Sequence, residues 1–480
     1  PTPARFSQAR IIFPDTEKSN WALEPSCGLY YWHRFFSHQP DLNYENPEVR
    51  RELLEVARFW LQLGIDGFRV DAAPYLFERE GTTCENLPET HDFLKELRRL
   101  ADTFDPPRVL LAEANQNVHE LTTYFGKGDE FHLAFHFPLM PRLFMAVRSE
   151  TSKPLIEILR STPVLPDGCQ WAMFLRNHDE LSLEMVSPEE RDYMLSAFAS
   201  HPGMRLNVGI RRRLWPLMMG GRRQIELLHA LVLGLPGCAV FYYGDEIGMG
   251  DDVRLDDRLP VRTPMQWNSG RNAGFSEADP ARLEAPVITT PEYHYAGHNV
   301  ESMDRLPTSF LNWFRRIGKA HRDVRGFRGR ELELVSGNNP CILAFVRQQD
   351  SEAVLCGYNL SRFVQHALLD LSKWRGRKPI EVIGHGAFPE IGRHSYPLSL
   401  GPHGFYWLRL ESTAVAEQEP CSTGRTILFV CQFNSARSQL AEALARSVVP
   451  SHVRVLSAGL TQSVVNGEVV RALAEIGLDA

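Results

Sequence analysis

The chain of 480 residues has no Cys-x-x-Cys pair and no zinc-finger spacing among its 8 cysteines. Scattered over so long a chain, they read as reduced thiols rather than a disulfide framework, which predicts a cytoplasmic protein. No apolar run reaches the ~18–20 residues that span a bilayer. The longest candidate, Ala230 to Tyr243, is broken by Gly234, Pro236 and Gly237. Positive charge is not in excess: 52 Lys+Arg stand against 59 Asp+Glu, a net charge of −7. That argues against a nucleic-acid partner and, with the missing apolar run, against a membrane partner. No leader-like segment opens the chain, and no Gly-rich phosphate turn precedes residue 420.

What is present is a repeated grammar. Aromatics crowd the start, with Trp21, Tyr30, Tyr31, Trp32, Phe35 and Phe36 close together at no helical or strand period, so a long loop is expected there. Asn46-Pro47 then opens a helix with Val49, Leu53, Val56, Ala57 and Trp60 on one face. The apolar run Ile65–Val70 follows and ends on Asp71. Next comes a helix from Thr90, then Val109–Ala112 ending on Glu113. A weaker strand lies within Phe131–Phe137; Trp171–Leu175 runs into Arg176-Asn177-His178-Asp179, and Cys238–Tyr243 into Gly244-Asp245-Glu246. Helices alternating with buried apolar strands predict an α/β fold with a parallel sheet. Polar residues at each strand's end favour a (β/α)8 barrel over a doubly wound sheet, which would carry the missing phosphate turn.

Past Gly329 the pattern changes to short strands, Glu331–Val335, Ile342–Arg347, Ala353–Tyr358, Ile380–Ile383 and Phe405–Leu410, separated by Gly, Pro and Asn. These predict an antiparallel β-sandwich. The expected domains are therefore a barrel with an inserted loop subdomain over 1–328, a sandwich over 329–411, a linker over 412–423, and a separate βαβ unit over 424–480.

Asp71, Glu113 and Asp179 stand at three strand ends, which converge on one cleft in a barrel. Two carboxylates with different pKa values are what glycosidic bond cleavage needs. Arg69 beside Asp71 would keep that group ionised as a nucleophile. Partial burial would keep Glu113 protonated as a general acid. His178 can donate to sugar hydroxyls without a full charge.

The segments Gly67–Asp71, Leu111–Glu113 and Phe174–Asp179 resemble three signatures of the α-amylase family of retaining glycoside hydrolases and transglycosylases. Tyr30–Tyr44, Pro74–Gly81, Phe135–Met140, Asn207–Arg213, Tyr243–Met249 and Arg262–Trp267 resemble its trehalose-forming members. The resemblance covers residues 1 to about 411. It implies Asp71 as nucleophile, Glu113 as acid and base, Asp179 and His178 on sugar hydroxyls, Arg69 orienting Asp71, and Arg262 on a loop closing over the site. The implied reaction is the interconversion of maltose and trehalose through a β-glucosyl-enzyme, a disaccharide its small-molecule partner and no organic cofactor needed. A hydrolase of the same family, an α-glucosidase or amylase, stays open. The resemblance also implies structural Ca2+ on Asp41, Glu78 and the carbonyls of Tyr75 and Leu76; the alternative for the two acids is a pair of solvated loop residues.

The family's Asp…Asn-His segment is missing, and five strand candidates stand where a barrel has eight. The first three strand–helix units are expected upstream of Pro1, and the chain as given is expected to be inactive on maltose and to aggregate. In the last module Cys431 and Arg437 stand six apart on a strand–loop–helix turn, the arrangement of an anion-cradling nucleophilic thiol. With Ser457-Ala458-Gly459, this unit resembles the low-molecular-weight tyrosine phosphatases and arsenate reductases, of which only the first part is expected within the chain. A phosphatase or reductase carrying an inactive sugar-binding scaffold is the remaining alternative. A second copy of the chain as partner stays open.

Overall fold

The computed structural model describes residues 3–412, 426–431, 436–448, 454–459 and 467–475. They form two units, divided near Glu411.

In the first unit a parallel sheet carries the strands β1 (Gly67–Val70), β2 (Val109–Ala112), β3 (Leu133–Phe135), β4 (Gln170–Phe174) and β5 (Cys238–Val240). Their spatial order, β5-β4-β3-β2-β1, is sequential, as successive strand–helix units of a barrel require. All five expected strands form, several of them shorter than the apolar runs that signalled them. Gly67 is required by close approach: a Cβ there would lie 1.9 Å from the Val109 carbonyl oxygen.

Helix α1 (Pro47–Gln62) starts where Asn46-Pro47 placed it, and the Asn46 side chain accepts from the Glu48 N–H. Its buried face is narrower than its apolar stripe. Ala57 and Leu61 are buried, whereas Val56 and Trp60 stay exposed, because α1 packs against α2, which covers one side of it. Helix α2 (Pro88–Asp102) begins two residues before Thr90, since Pro88 takes the first helical position. The aromatic start is not all loop. Trp21–Glu24 and Leu29–Trp32 pair antiparallel, with Trp21 opposite Trp32 and Phe6 against both rings.

A β-sandwich follows, as expected. One sheet has the order β6-β7-β8-β12-β10, from Leu332–Leu334, Ile342–Gln349, Glu352–Asn359, Phe405–Ser412 and Arg377–Glu381 respectively. Facing it, β9 (Gln365–Leu369) pairs with β11 (Tyr396–Leu400), two strands the sequence pattern did not reveal. Their alternation is plain in the burial, Ala367, Leu369, Leu398 and Leu400 facing in, but Pro397 within β11 masks it as loop.

The sandwich grips the end of helix α3 (Arg222–Gly234). The Tyr358 hydroxyl donates to the Ala230 carbonyl, 3.1 Å away. Arg347, 1% exposed, donates to the carbonyls of Gly234 (2.7 Å), Phe327 (2.8 Å) and Gly329. A guanidinium thus satisfies helix-end carbonyls that would otherwise be orphaned. Arg347→Met is expected to lose about 3 kcal/mol of stability, since buried acceptors are left unpaired. Thermal unfolding of variant and wild type, monitored in parallel, checks this.

The second unit has parallel strands Thr426–Cys431 and Arg454–Gly459, with helices Arg437–Val448 and Gly467–Glu475. The strand–helix–strand order matches the expectation. The linker 413–423, the loop 432–435 and the side chains of Cys431 and Arg437 lie outside the described residues.

Candidate active site

The register of β1 on β2 brings the acids together. Val70 lies opposite Ala112, so Asp71 and Glu113 leave the sheet side by side. Two backbone bonds continue the ladder beyond the strands: Glu113 N–H to the Val70 carbonyl (3.1 Å) and Ala73 N–H to the Glu113 carbonyl (3.2 Å). Between Asp71 and Ala73, Ala72 takes the left-handed conformation (φ +49°), which is uncommon without glycine and turns the chain sharply at the cleft.

The cleft, about 530 Å³, is lined by Asp71, Glu113, His178 and Asp179 together with Asp41, Phe13, Phe35, Arg258 and Arg262. Arg69 forks between the two strand-end acids: Nη1 lies 2.7 Å from Asp71 Oδ1, and Nη2 pairs with Glu113. Both carboxyls thus meet on one guanidinium. Burial works against charge on Asp71, but the bonds from Glu113 and Arg69 outweigh it and hold that carboxyl below its ordinary range. Burial first, then the bond to Asp71, pushes Glu113 up to about 8. The environments of the two groups thus drive their proton affinities apart, leaving a carboxylate and a carboxylic acid side by side at neutral pH.

Asp179 sits opposite, after β4. His178 Nε2 is 3.3 Å from its Oδ2, and burial lowers the His178 pKa, leaving a neutral ring near pH 7. Arg262 Nη2 is 2.6 Å from Asp179 Oδ1, while its Nε–H donates to the His178 carbonyl at 2.8 Å. Ligand atoms of Glu113, His178 and Asp179 lie within 4.8 Å of one another. A metal there would compete with Arg69 and Arg262, which already neutralise the carboxylates, so the cluster reads as an acid–base set rather than a cation site.

Several residues of the cleft carried no assignment in the sequence. Arg176, 1% exposed, donates to the carbonyls of Asp179 (2.8 Å) and Arg212 (2.8 Å) and fixes the turn after β4. Asn115 donates to Ser182 and Glu184, and Arg258 reaches both Asp179 and Glu180. Apart from the Arg176–Asp179 bond, which spans three residues, their partners are distant in sequence, and spacing gave no signal.

Asp41 and Glu78 lie near the cleft's wall. Asp41 Oδ2 is buried with no hydrogen-bond partner. Burial raises Asp41 to about 6, and burial together with Asp41 raises Glu78 to about 7. Two mutually repelling carboxyls with an orphaned oxygen are a donor set that suits a hard cation.

This frame of parallel strands, with a paired carboxylate and carboxylic acid at neighbouring strand ends, belongs to a known class. Residues 10–325 match the family model of the α-amylase catalytic domain, and residues 332–407 that of the maltogenic amylase C-terminal domain. The chain belongs to the α-amylase family, with a (β/α)8-type catalytic domain followed by a β-sandwich. Residues 426–479 match the low-molecular-weight phosphotyrosine protein phosphatase model. Among curated proteins, a trehalose synthase/amylase of Mycobacterium tuberculosis is 54% identical over 433 residues, 89% of this chain and 72% of that protein. A trehalose synthase of a Pimelobacter species is 51% identical over 436 residues, 88% of this chain and 75% of that protein. Among solved structures, isomaltulose synthase from Klebsiella sp. LX3 superposes with a TM-score of 0.60 at 22% identity, covering 84% of this chain and 76% of that one. That likeness is one of fold.

Proposed function

We infer that this protein interconverts maltose and trehalose as a retaining transglycosidase of the α-amylase family. The observation that carries the reading is the single Arg69 fork that pairs with both Asp71 and Glu113. Inverting enzymes hold their carboxyls roughly 6.5–9.5 Å apart to admit a water, and retaining ones about 5–5.5 Å. Two carboxyls gripped by one guanidinium fit the closer spacing. The trehalose synthases at about half identity over most of the chain support the same substrate.

In the reading we adopt, the Asp71 carboxylate attacks the anomeric carbon of the non-reducing glucose. The glycosidic C–O bond breaks with its electron pair going to the departing oxygen, which takes the Glu113 proton. Neutral His178 and Asp179 hold the hydroxyls of the glucose being transferred. The freed glucose turns, its anomeric hydroxyl gives its proton to the Glu113 carboxylate, and its oxygen displaces Asp71 to give trehalose. Water reaching the glucosyl ester first would yield glucose instead.

The product of the complete gene, incubated with maltose and excess 13C-labelled glucose, tests this. Unlabelled trehalose is the expected product. Glucose alone would identify a hydrolase, and fully exchanged trehalose would refute transfer within one closed site.

We also propose that Asp41, Glu78 and the carbonyls of Tyr75 and Leu76 hold Ca2+. Its contribution would be structural: the cation neutralises the two carboxyls and pins the segment after Asp71. Ca2+ is expected to raise the unfolding midpoint of the protein, and chelation to lower it, with Glu78→Gln abolishing the response. An unchanged midpoint in wild type contradicts the site.

A further inference from the structure

At the opposite end of the strands from the catalytic acids lies a second cavity, of about 740 Å³. It is bounded by Gln170, where β4 starts, and by Gly237, just before β5, whereas Asp179 follows the far end of β4. Its other side is the junction with the sandwich, at Phe327, Leu332 and Arg347. The cavity and the catalytic cleft share no lining residue.

Cations dominate the lining: Arg160, Arg328, Arg330 and Arg347 stand against Glu331. Asp167 neutralises Arg330. Among the described residues no carboxylate pairs with Arg160, Arg328 or Arg347. Those three charges against Glu331 leave a surplus of two positive charges around the cavity. Arg347, 1% exposed, is the buried one. Its Nη1 and Nη2 are taken by the carbonyls of Gly234, Phe327 and Gly329, which orient the group without cancelling its charge. Its Nε is buried with no partner. Burial lowers the Arg347 pKa only to about 10, so the side chain is charged at neutral pH. His321, also on the lining, adds no counter-charge, because burial, and then Arg347, lower it to about 4. Trp171 Nε1, on β4 at the cavity's edge, is a further buried donor without a partner. Buried charges and donors are ordinarily matched, and here an anion would match them.

The rest of the wall is apolar, from Leu159, Val164, Met173 and Leu334. The ligand that suits this lining has a compact double negative charge at one end and an apolar body at the other. A phosphomonoester carries about −1.5 to −2 at pH 7 and offers three strong acceptor oxygens, which guanidinium groups bind well. Inorganic phosphate would match the charge but leave the apolar wall wet. We propose that this cavity is a binding site for a phosphomonoester, its phosphate held by Arg347, Arg160 and Arg328 and its organic body laid on the apolar wall. The ligand would bridge barrel and sandwich, and so stabilise their junction. The site stands apart from the maltose–trehalose reading and is tested whatever the protein does with maltose.

Phenyl phosphate is the probe. Titrated calorimetrically into the complete gene product at constant ionic strength, it is expected to bind and to raise the unfolding midpoint. Inorganic phosphate should bind about tenfold more weakly, since it buries no apolar surface. Arg347→Met loses stability by itself, so Arg160→Gln combined with Arg328→Gln carries the test. Both side chains are exposed. Folding should therefore be unchanged, while affinity for phenyl phosphate falls about tenfold. Asp71→Asn and Arg437→Ala should bind as the wild type does, which separates this cavity from the catalytic cleft and from the thiol loop of the second module. Four results would each overturn the proposal. They are no binding by the wild type, an unchanged affinity in the double variant, equal affinity for inorganic phosphate, and loss of binding in Asp71→Asn or Arg437→Ala.

Discussion

Asp71→Asn is expected to lower maltose turnover roughly 10⁴-fold, the scale seen when a residue that acts as part of a catalytic unit is removed. The amide is nearly isosteric, so the cleft keeps its shape, but it can neither attack an anomeric carbon nor carry the negative charge that the Arg69 fork is placed to hold. Steady-state assays of trehalose and glucose from maltose measure the loss. Binding should survive, because His178, Asp179 and Arg262 are untouched. A variant that keeps more than a few per cent of activity would mean that Asp71 is not the nucleophile.

Glu113→Gln is the second large effect, and it depends on the leaving group. Loss of general acid help is worth about 10²–10⁴. Maltose, whose departing alkoxide is a poor leaving group, should lose that whole factor. An aryl α-glucoside with an acidic phenol needs no proton, so formation of the glucosyl-enzyme should stay close to wild type. Equal losses on both substrates would remove Glu113 from the acid role.

The pH dependence follows from the same pair. Glu113 is raised to about 8 in the folded protein, so it remains the acid through neutrality, and maltose turnover falls as pH rises through that value. For stability the sign is the same. A raised folded pKa favours the folded state fully below the ordinary carboxylate range, and that advantage is lost as pH climbs to 8. Glu113→Gln should therefore gain stability over wild type at pH 9 and not at pH 4, as parallel thermal unfolding would show.

Much of this was legible in the sequence, and for physical reasons. Strand ends announce themselves when an apolar run stops at a charged residue, as at Val70-Asp71 and Ala112-Glu113. Their convergence then follows from parallel pairing, and Arg69 shows itself as the neighbour of Asp71. The residues that escaped are those whose role is fixed only by distant partners. Glu180 meets Arg258 across 78 positions, and Arg347 meets the end of helix α3 across 113. The hairpin at Trp21 and Trp32 escaped for another reason: its aromatic pairs lie across strands, and no period along one strand reveals them. The β-sandwich lost two strands to Pro397 and to short, half-exposed alternation.

The proposed mechanism runs through a β-glucosyl ester on Asp71, and trapping that ester is its most direct test. A 5-fluoro-α-glucosyl fluoride should load the complete gene product with one fluoroglucosyl group that turns over slowly. Peptide mass spectrometry is expected to place that group on the peptide containing Asp71, and Asp71→Asn should take up none. A label on Glu113 or Asp179, or trehalose formed at the normal rate by Asp71→Asn, would contradict the mechanism.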